Sequence, residues 1–231
     1  MLLVDTEALR RFFDKVVPDL KENECLLLLL SARKKYYPEI ARSEEILRRE
    51  VIREKNWSSF YRKIKRMSYV DGIYTDKNGN EIPERALTMF MVLNPKDVLK
   101  AWNTLQKEMV DLLFQYAKGD SNALKQFKRI DIRWFSALHR TTSRKKYWLI
   151  DIDRKDEDLL SFVVEKLKYI TWISETRGGY HVIVPADDVT ARTIFRDRVF
   201  ENVKDIEIHK EAMTPLPGTL QGGFVVREVK F

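Results

Sequence analysis

Apolar residues in the first part of the chain change their spacing several times. They recur at helix spacing over residues 6–17, which predicts a helix. Residues 25–30 are continuously apolar over the length of a strand, so we expect a buried strand that leads directly into a run of cations. Residues 38–54 are charged apart from a narrow apolar stripe, which predicts a surface helix.

A basic, aromatic-rich segment follows, and its spacing predicts a helix over residues 57–67. Such a helix can hold a phosphate backbone and stack nucleic-acid bases. Aromatic residues at this spacing equally form the core-facing side of a helix whose lysines stay in solvent. Both interpretations remain open at this point.

Turn-forming residues divide the middle of the chain. Asn78-Gly79 predicts a hairpin turn. Residues 86–93 predict a strand that is stopped by Asn94-Pro95, and we expect this proline to open the next helix. That helix is long, carries an apolar face and ends near Gly119, after which Ser121 is expected to cap a short basic helix.

From Lys145 onward, strand and helix patterns alternate in a regular order. We predict a strand ending at Asp153, a helix over 156–168, strands over 169–174 and 180–184, a helix over 189–200 and a strand over 203–209. This order is the split βαβ arrangement of ferredoxin-like and RNA-recognition-like folds. The predicted fold class is therefore α+β, with a βαββαβ sheet that has helices on one face and a free face for a site or for more structure.

Composition restricts the class of protein only loosely. The 231 residues suit one large domain or two small ones. Lys and Arg number 42 against 35 Asp and Glu, so the formal net charge is +7. A moderately basic surface fits a nucleic-acid or nucleotide partner, and it also fits an ordinary basic protein.

The only cysteine, Cys25, excludes an internal disulfide. One cysteine and three histidines also argue against a cysteine-based zinc site, so we expect Cys25 to be a small core residue. Residues 26–30 are too short to span a bilayer, and no secretory leader precedes them. These features predict a soluble, cytoplasmic protein without a membrane partner.

Two carboxylates close the strand that begins the C-terminal half. Asp151 and Asp153 are two residues apart, so on a strand their side chains project from the same face while Ile150 and Ile152 pack behind them. Like charges side by side repel, and a divalent cation commonly offsets that repulsion. The alternative is a strand end with two solvated acids.

Three further groups are predicted to share a sheet face with this pair. Arg177-Gly178-Gly179 predicts a turn whose backbone suits a phosphate, and His181 opens the strand after it. Asp205, Glu207 and His209 alternate with apolar residues on the last strand. Each group has an ordinary structural interpretation, namely a plain hairpin, a satisfied histidine or a charged edge strand. Together on one open sheet face they fit phosphoryl or nucleotidyl transfer with two Mg²⁺ or Mn²⁺ ions.

Short motifs in this order resemble those of the archaeo-eukaryotic primase superfamily. The similar segments are Leu149-Ile150-Asp151-Ile152-Asp153, Arg177-Gly178-Gly179-Tyr180-His181-Val182, the acidic strand at Glu207, the loop Pro215-Leu216-Pro217-Gly218-Thr219-Leu220 and the segment Leu93-Asn94-Pro95-Lys96. The resemblance covers the C-terminal half firmly and the N-terminal half loosely. It implies one catalytic domain over 1–231, in which an N-terminal α/β half (1–140) packs with a motif-bearing RNA-recognition-like palm (145–231).

The resemblance also implies roles for individual residues. Asp151, Asp153 and a third acid would hold the metal ions, and we prefer Glu207 to Asp205 as that acid. His181 would contact the phosphates of the incoming nucleotide. The further nucleotide-binding residues would be Arg177, Gly178, Gly179, Arg33 and Lys210. The chain departs from the family pattern at Pro215, where an arginine is common, and at Gln221, where a histidine is common, and Lys210 or Lys96 would substitute.

The implied function is that of a DNA primase or primase-polymerase. Such an enzyme makes or extends a primer on a single-stranded DNA template from nucleoside triphosphates during replication, with a helicase or accessory subunit as a further partner. The zinc element of the family is not expected here. Two other hypotheses stay open: a non-catalytic module that binds single strands through residues 57–66, and a metal-dependent nuclease that uses the same carboxylates.

Overall fold

A computed structural model of the chain describes residues 1–40, 42–69, 72–76, 78–196, 199–200, 203–209, 211 and 213–230. The helices are α1 Thr6–Val16, α2 Trp57–Ser68, α3 Val98–Ala117, α4 Ser121–Phe127, α5 Ile130–Arg140, α6 Glu157–Lys166 and α7 Val189–Arg196. The strands are β1 Glu24–Arg33, β2 Glu44–Ile52, β3 Leu87–Val92, β4 Lys96–Asp97, β5 Tyr147–Ile152, β6 Trp172–Glu175, β7 Tyr180–Pro185, β8 Ile206–His209, β9 Met213–Pro215, β10 Leu220–Gln221, β11 Phe224–Val225 and β12 Arg227–Glu228.

The first sheet is antiparallel and has the strand order β11-β10-β3-β1-β2, with β4 on β1 and β9 on β3. Its central strand β1 is buried along almost its whole length, which confirms the buried strand predicted from the continuous apolar run. Leu26 and Leu28 face a core that includes α1 and α2, whereas Leu27 faces a second core that includes α3 and α5. Burial on both faces explains why no polar residue interrupts the run.

The strand β2 corrects the prediction of a surface helix over residues 38–54. It pairs with β1 in antiparallel register, with Leu28 opposite Glu50. An edge strand tolerates charged side chains because one of its edges faces water. Glu50 is also neutralised by Lys63 and Arg66 of α2, at 3.3 and 3.1 Å. The charged residues of this segment therefore fit an edge strand next to a helix. The spacing of apolar residues alone does not distinguish such a strand from a surface helix.

The aromatic residues of α2 face the core. Of the two interpretations of this segment, the structure therefore agrees with a helix whose aromatic side packs inside the protein. Phe60 is fully buried, as are Ile64 and Met67 on the same side of the helix. Trp57 and Tyr61 stack with their ring centroids 5.4 Å apart. The hairpin predicted next to it, around Asn78-Gly79, is closed by an antiparallel bridge between residues 75 and 81.

The second sheet contains the predicted strand, helix, strand, strand, helix, strand sequence in the form β5, α6, β6, β7, α7 and β8. All its neighbours are antiparallel, in the order β12-β6-β7-β5-β8. Ile150, Ile152 and Val182 pack on the helix-covered face, and Leu149 and Ile183 face the core of the first half. The described part of the chain is thus an α+β protein with two antiparallel sheets.

The helical segment between the two sheets agrees with its prediction at the end of α3, close to Gly119, and differs from it elsewhere. Asp120, not Ser121, caps α4. Asp97, not Pro95, caps α3, because its carboxylate accepts a hydrogen bond from the backbone N–H of Lys100 at 2.9 Å. The helix α5 was not predicted at all. Arg133 and Arg140 tie it to Glu108 of α3, at 3.1 and 2.5 Å. No helix within the described ranges has both the length and the hydropathy needed to cross a membrane.

Two polar contacts join the halves where β5 begins. The side-chain oxygen of Asn94 accepts hydrogen bonds from the backbone N–H groups of Lys146 and Tyr147, at 2.8 and 2.9 Å. Glu24, whose side chain is fully buried, accepts two hydrogen bonds from the guanidinium of Arg144, at 2.9 and 3.0 Å. These contacts fix the start of β5, and therefore the position of the acids at its other end, relative to the first sheet.

Candidate functional site

A row of polar side chains crosses the second sheet near the end of β5. Asp151 lies opposite His181 of β7 on one side and opposite Glu207 of β8 on the other. The His181 Nε2 atom is 3.3 Å from Asp151 Oδ1, and its Nδ1 is 3.1 Å from the hydroxyl oxygen of Thr214. His209 Nε2 lies 3.9 Å from Asp151 Oδ2 and 3.5 Å from Glu207 Oε2. The sheet register therefore places a carboxylate, two imidazoles and a second carboxylate side by side.

The Asp151 carboxyl is kept ionised by its neighbours. Burial alone would raise its pKa, but the contact with His181 and the positive potential of His181, His209 and Lys35 outweigh burial. The net result is a pKa below the ordinary value for an aspartate. Asp151 is thus a partly buried, negatively charged oxygen donor at neutral pH.

Asp153 and Asp205 differ from the predicted pattern because both lie just outside their strands. The strand β5 ends at Ile152, and the Asp153 backbone N–H donates to the carbonyl of Asp205 at 2.9 Å. Asp205 has a positive φ of 66°, and Arg154 holds its carboxylate at 3.2 Å. The alternation predicted for Asp205, Glu207 and His209 therefore covers only the last two, because the backbone turns at Asp205.

A cavity of about 310 Å³ lies where the polar row meets the first sheet. It is lined by Arg33, Lys35, Glu44, Phe90, His139, Leu149, Asp151, Asp153, Thr176, Gly178, His181, His209, Glu211, Met213 and Gln221. Acids of the second sheet thus share one cavity with cations of the first.

The cations come from the end of β1. Arg33 is the last residue of that strand, and Lys35 follows in the turn after it. Burial lowers the pKa of Lys35, as does the nearby Arg33, whereas Asp153 and Asp151 raise it in part. The Arg33 and Arg177 guanidinium groups lie 5.9 and 4.6 Å from the ring centroid of Tyr36. Two guanidinium groups therefore lie close to the aromatic ring that follows Lys35 in the chain.

The glycine turn approaches the acid pair closely, and its two glycines are not equivalent. A Cβ atom at Gly179 would overlap the carbonyl oxygen of Ile152 and come within 2.7 Å of the backbone nitrogen of Arg154. A Cβ atom at Gly178 would meet no atom within 4 Å. Gly179 is thus required by the close packing of the turn against the end of β5, while Gly178 lines the cavity.

The structure brings together most of the residues predicted for the site. Arg33, Gly178, His181 and the two aspartates line one cavity, whereas Glu207 lies beside it on β8. The Arg177 guanidinium instead donates to the carbonyl of Gly222 and packs on Tyr36, so in this structure it anchors the turn. Lys210 lies outside the described residues. Lys96 is buried and paired with Glu211 at 3.1 Å.

Four ionisable residues of the cavity had no place in the predicted site: Lys35, Glu44, His139 and Glu211. The run of cations after β1 was a usable signal for Lys35, because it shares a short segment with Arg33. His139 lies on α5, whose helix was not predicted. Glu211 had no signal in the sequence, since its place depends on the buried Lys96 and on Thr142, which bond its carboxylate.

The fit of a metal ion was tested on the donor atoms. No three or more His, Cys, Asp or Glu side chains in the described part of the chain form a group that could hold a metal ion. Asp151 and Asp153 nevertheless present two carboxylates to one cavity. Mg²⁺ is commonly held by one or two carboxylates, with substrate phosphates and water completing its shell. The donor chemistry therefore fits a divalent ion that is bound together with a phosphate-bearing substrate.

Comparisons of the chain with protein-family models, with curated proteins and with solved structures find no match. The class that the fold and the cavity define is accordingly an α+β protein with an acidic and histidine-bearing sheet face opposite a cationic strand end.

Proposed function

We propose that the protein is a metal-dependent nucleotidyltransferase of the primase-polymerase type, acting on a single-stranded DNA template with nucleoside triphosphates. The observation that carries the proposal is the single cavity in which Asp151, Asp153 and His181 face Arg33 and Lys35. This combination goes beyond two solvated acids at a strand end, because the cations lie where an anionic substrate would bridge to the acids.

The second sheet also supports the proposed fold of the catalytic half. Its chain order is strand, helix, strand, strand, helix, strand, and across the sheet the four strands lie in the order β6, β7, β5 and β8. The first and third strands of the unit are therefore the central pair, as in ferredoxin-like and RNA-recognition-like sheets. We assign the unit to that type of palm on this basis.

The residues divide into two roles in this proposal. Asp151 and Asp153 would hold a divalent ion, with Glu207 as the third acid because it lies directly opposite Asp151. With an ion bound, these carboxylates would gain the chemistry of activating an attacking 3′-hydroxyl and of neutralising charge on the leaving pyrophosphate. Arg33 and Lys35 would bind the triphosphate, and His181, oriented by Thr214, would donate to a phosphate oxygen.

The direct test is incorporation of labelled nucleotides on single-stranded DNA with Mg²⁺ or Mn²⁺. The protein should extend or start a strand, and Asp151→Asn combined with Asp153→Asn should abolish incorporation. Asp158→Asn, an exposed aspartate on α6, is the matched control and should keep full activity. Activity that survives the double substitution contradicts the proposal. Metal-dependent loss of template without nucleoside triphosphates would instead identify a nuclease.

A further inference from the structure

A second cavity continues from the candidate site along the first sheet. Its volume is about 620 Å³, and it shares Glu44, His139 and Met213 with the site cavity. The two spaces therefore adjoin one another at these three residues. We call the second cavity the groove, and it lies beside the acids and the cations of the site.

The groove has an apolar floor and a helical wall. Leu27 and Leu29 of β1 and Ile46 of β2 line it on the sheet side. Phe135 and Ser136 of α5 line it on the opposite side. Leu27 and Leu29 are buried at the bottom of the groove, whereas Ile46 is 38% exposed and Phe135 is half-buried. Ile46 and Phe135 therefore offer the apolar surface that the flat ring of a nucleic-acid base can contact.

The charge around the groove is positive. Arg133 and Arg140 both pair with Glu108, so their charges are partly neutralised. Arg49 and Arg129 also line the groove, and neither forms an ion pair with any carboxylate among the described residues. The Arg49 guanidinium lies 5.9 Å from the ring centroid of Phe135. The charge of Asp131 acts on Arg49 from beyond ion-pair distance, so it offsets that guanidinium in part. Two guanidinium groups without an ion pair thus border apolar side chains, which is the combination that holds single strands.

We infer that this groove binds the single-stranded nucleic acid whose end or template base reaches the candidate site. The inference rests on the proposed function for the identity of the site, and it adds the path of the strand. Phosphates would lie at Arg49 and Arg129, and bases would pack over Ile46 and Phe135. A polypeptide is the other possible occupant, and the unpaired cations favour a phosphate backbone over it.

Charge reversal separates this groove from the rest of the basic surface. Arg49→Glu with Arg129→Glu should weaken binding of a fluorescent oligonucleotide at least about tenfold. The slope of the logarithm of the binding constant against the logarithm of the salt concentration should become shallower by about 1.4, because each lost phosphate contact removes about 0.7. Arg62→Glu with Lys65→Glu changes the net charge equally on α2, whose core-facing residues contact the other face of the first sheet. This control should change the affinity less than about twofold. Equal losses in both pairs would overturn the inference.

Cross-linking shows where the oligonucleotide lies on the protein, which an affinity measurement alone does not. The native Cys25 is buried, and burial raises its thiol pKa to about 11, so it does not compete for alkylation. Ser136→Cys places a thiol in the groove, and Ser58→Cys places one on exposed α2 as the control. An oligonucleotide with a terminal bromoacetyl group should alkylate the groove thiol at least tenfold faster than the α2 thiol. Equal rates that match those of a free thiol would overturn the inference.

The outcomes also separate this inference from the proposed function. Asp151→Asn with Asp153→Asn should abolish incorporation and leave oligonucleotide affinity unchanged. The protein could bind strands through Arg49 and Arg129 and yet show no incorporation activity. That result would support strand binding in the groove and contradict the proposed function. Incorporation that is unchanged in the groove variant, with unchanged strand affinity, removes the groove and keeps the function.

Discussion

The two sheets of this protein supply opposite charges to one cavity, and they do so by different means. In the first sheet β1 is buried on both faces, and its cation Arg33 stands at the end of the strand, with Lys35 in the turn that follows. In the second sheet β5 is also buried on both faces, but Asp151 lies within the strand, on the face where Leu149 packs against the first half and where the cavity lies. The first sheet thus contributes charge at a strand end, whereas the second contributes it within a strand, where the cavity separates the two halves.

The largest effect is expected on the acidic side. Glu207→Gln should lower nucleotide incorporation about a thousandfold, because it removes a charge opposite Asp151 where a metal ion would lie. Asp205→Asn should lower it less than about threefold, since Arg154 already holds that carboxylate away from the cavity. Rates measured with saturating template and Mn²⁺ distinguish the two. A larger loss of incorporation in the Asp205 variant would show that Asp205, not Glu207, is the third acid.

Gly179→Ala should disrupt the second sheet where the acids lie. The added methyl group would overlap the carbonyl oxygen of Ile152, so we expect a loss of about 3 kcal/mol in the free energy of unfolding. Gly178→Ala is the control in the same turn and should change that free energy by less than about 0.5 kcal/mol, because no atom is near its Cβ position. Urea unfolding measures both. Similar values for the two variants would show that the turn does not press on β5.

The connection between the sheets depends on a buried ion pair. Glu24→Gln should lower the free energy of unfolding by about 2 kcal/mol, because it leaves Arg144 without its charged partner. Glu22→Gln, on the exposed residue nearby, is the control and should be neutral. The effect of the Glu24 variant should be measured between pH 3 and pH 8.

The pH dependence of this effect follows from the pKa of Glu24. Burial raises that pKa, but the hydrogen bonds from Lys21, Arg144 and Ser143 outweigh burial and leave it below the ordinary value. The stabilisation by the carboxylate is therefore complete above the pKa of an unfolded glutamate, about 4.3, and is lost as the pH falls through the lower folded-state value. A difference between the wild type and Glu24→Gln that grows toward low pH would contradict this assignment.

The smallest effect is expected on the cationic side. Lys35→Ala should raise the KM for nucleoside triphosphate about tenfold with a smaller change in kcat, because it removes one charged contact to the phosphates. Lys34→Ala is the matched control, since Lys34 lies beside it in the chain and does not line the cavity. Steady-state kinetics at fixed template concentration measures both. An equal rise for Lys34 would point to general surface charge.

The sequence predicted the second sheet better than the first. The order of elements from β5 to β8 follows from local alternation of apolar and polar residues, and the structure confirms it. The charged strand β2 was predicted as a helix because its pairing with β1 and the ion pairs of Glu50 with α2 link neighbouring elements, which the spacing of apolar residues within one segment does not show. The helix α5 was missed because its fully buried residues are only Ala137 and Leu138, which are adjacent in the chain and give no repeat at helix spacing.

Site residues could be predicted where a motif within one strand indicates them. They could not be predicted where only contacts between distant segments bring them to the cavity. Asp151 and His181 were found from motifs, and the register places them opposite one another. Glu211 and His139 reach the cavity through contacts with residues far away in the chain, so no local pattern indicates them. The positive φ of Asp205 likewise depends on how β8 joins the sheet, which the alternation of polar residues does not show.

The central claim is that the acids of the second sheet and the cations of the first bind one metal–nucleotide complex. Binding of Mn²⁺ in the presence of a nucleoside triphosphate, measured by electron paramagnetic resonance, tests it most directly. The account predicts that the protein binds Mn²⁺ more tightly with the nucleotide than without it. Asp151→Asn should abolish this binding, and Lys35→Ala should remove only the enhancement by nucleotide. Mn²⁺ binding that is unaffected by Asp151→Asn would contradict the account.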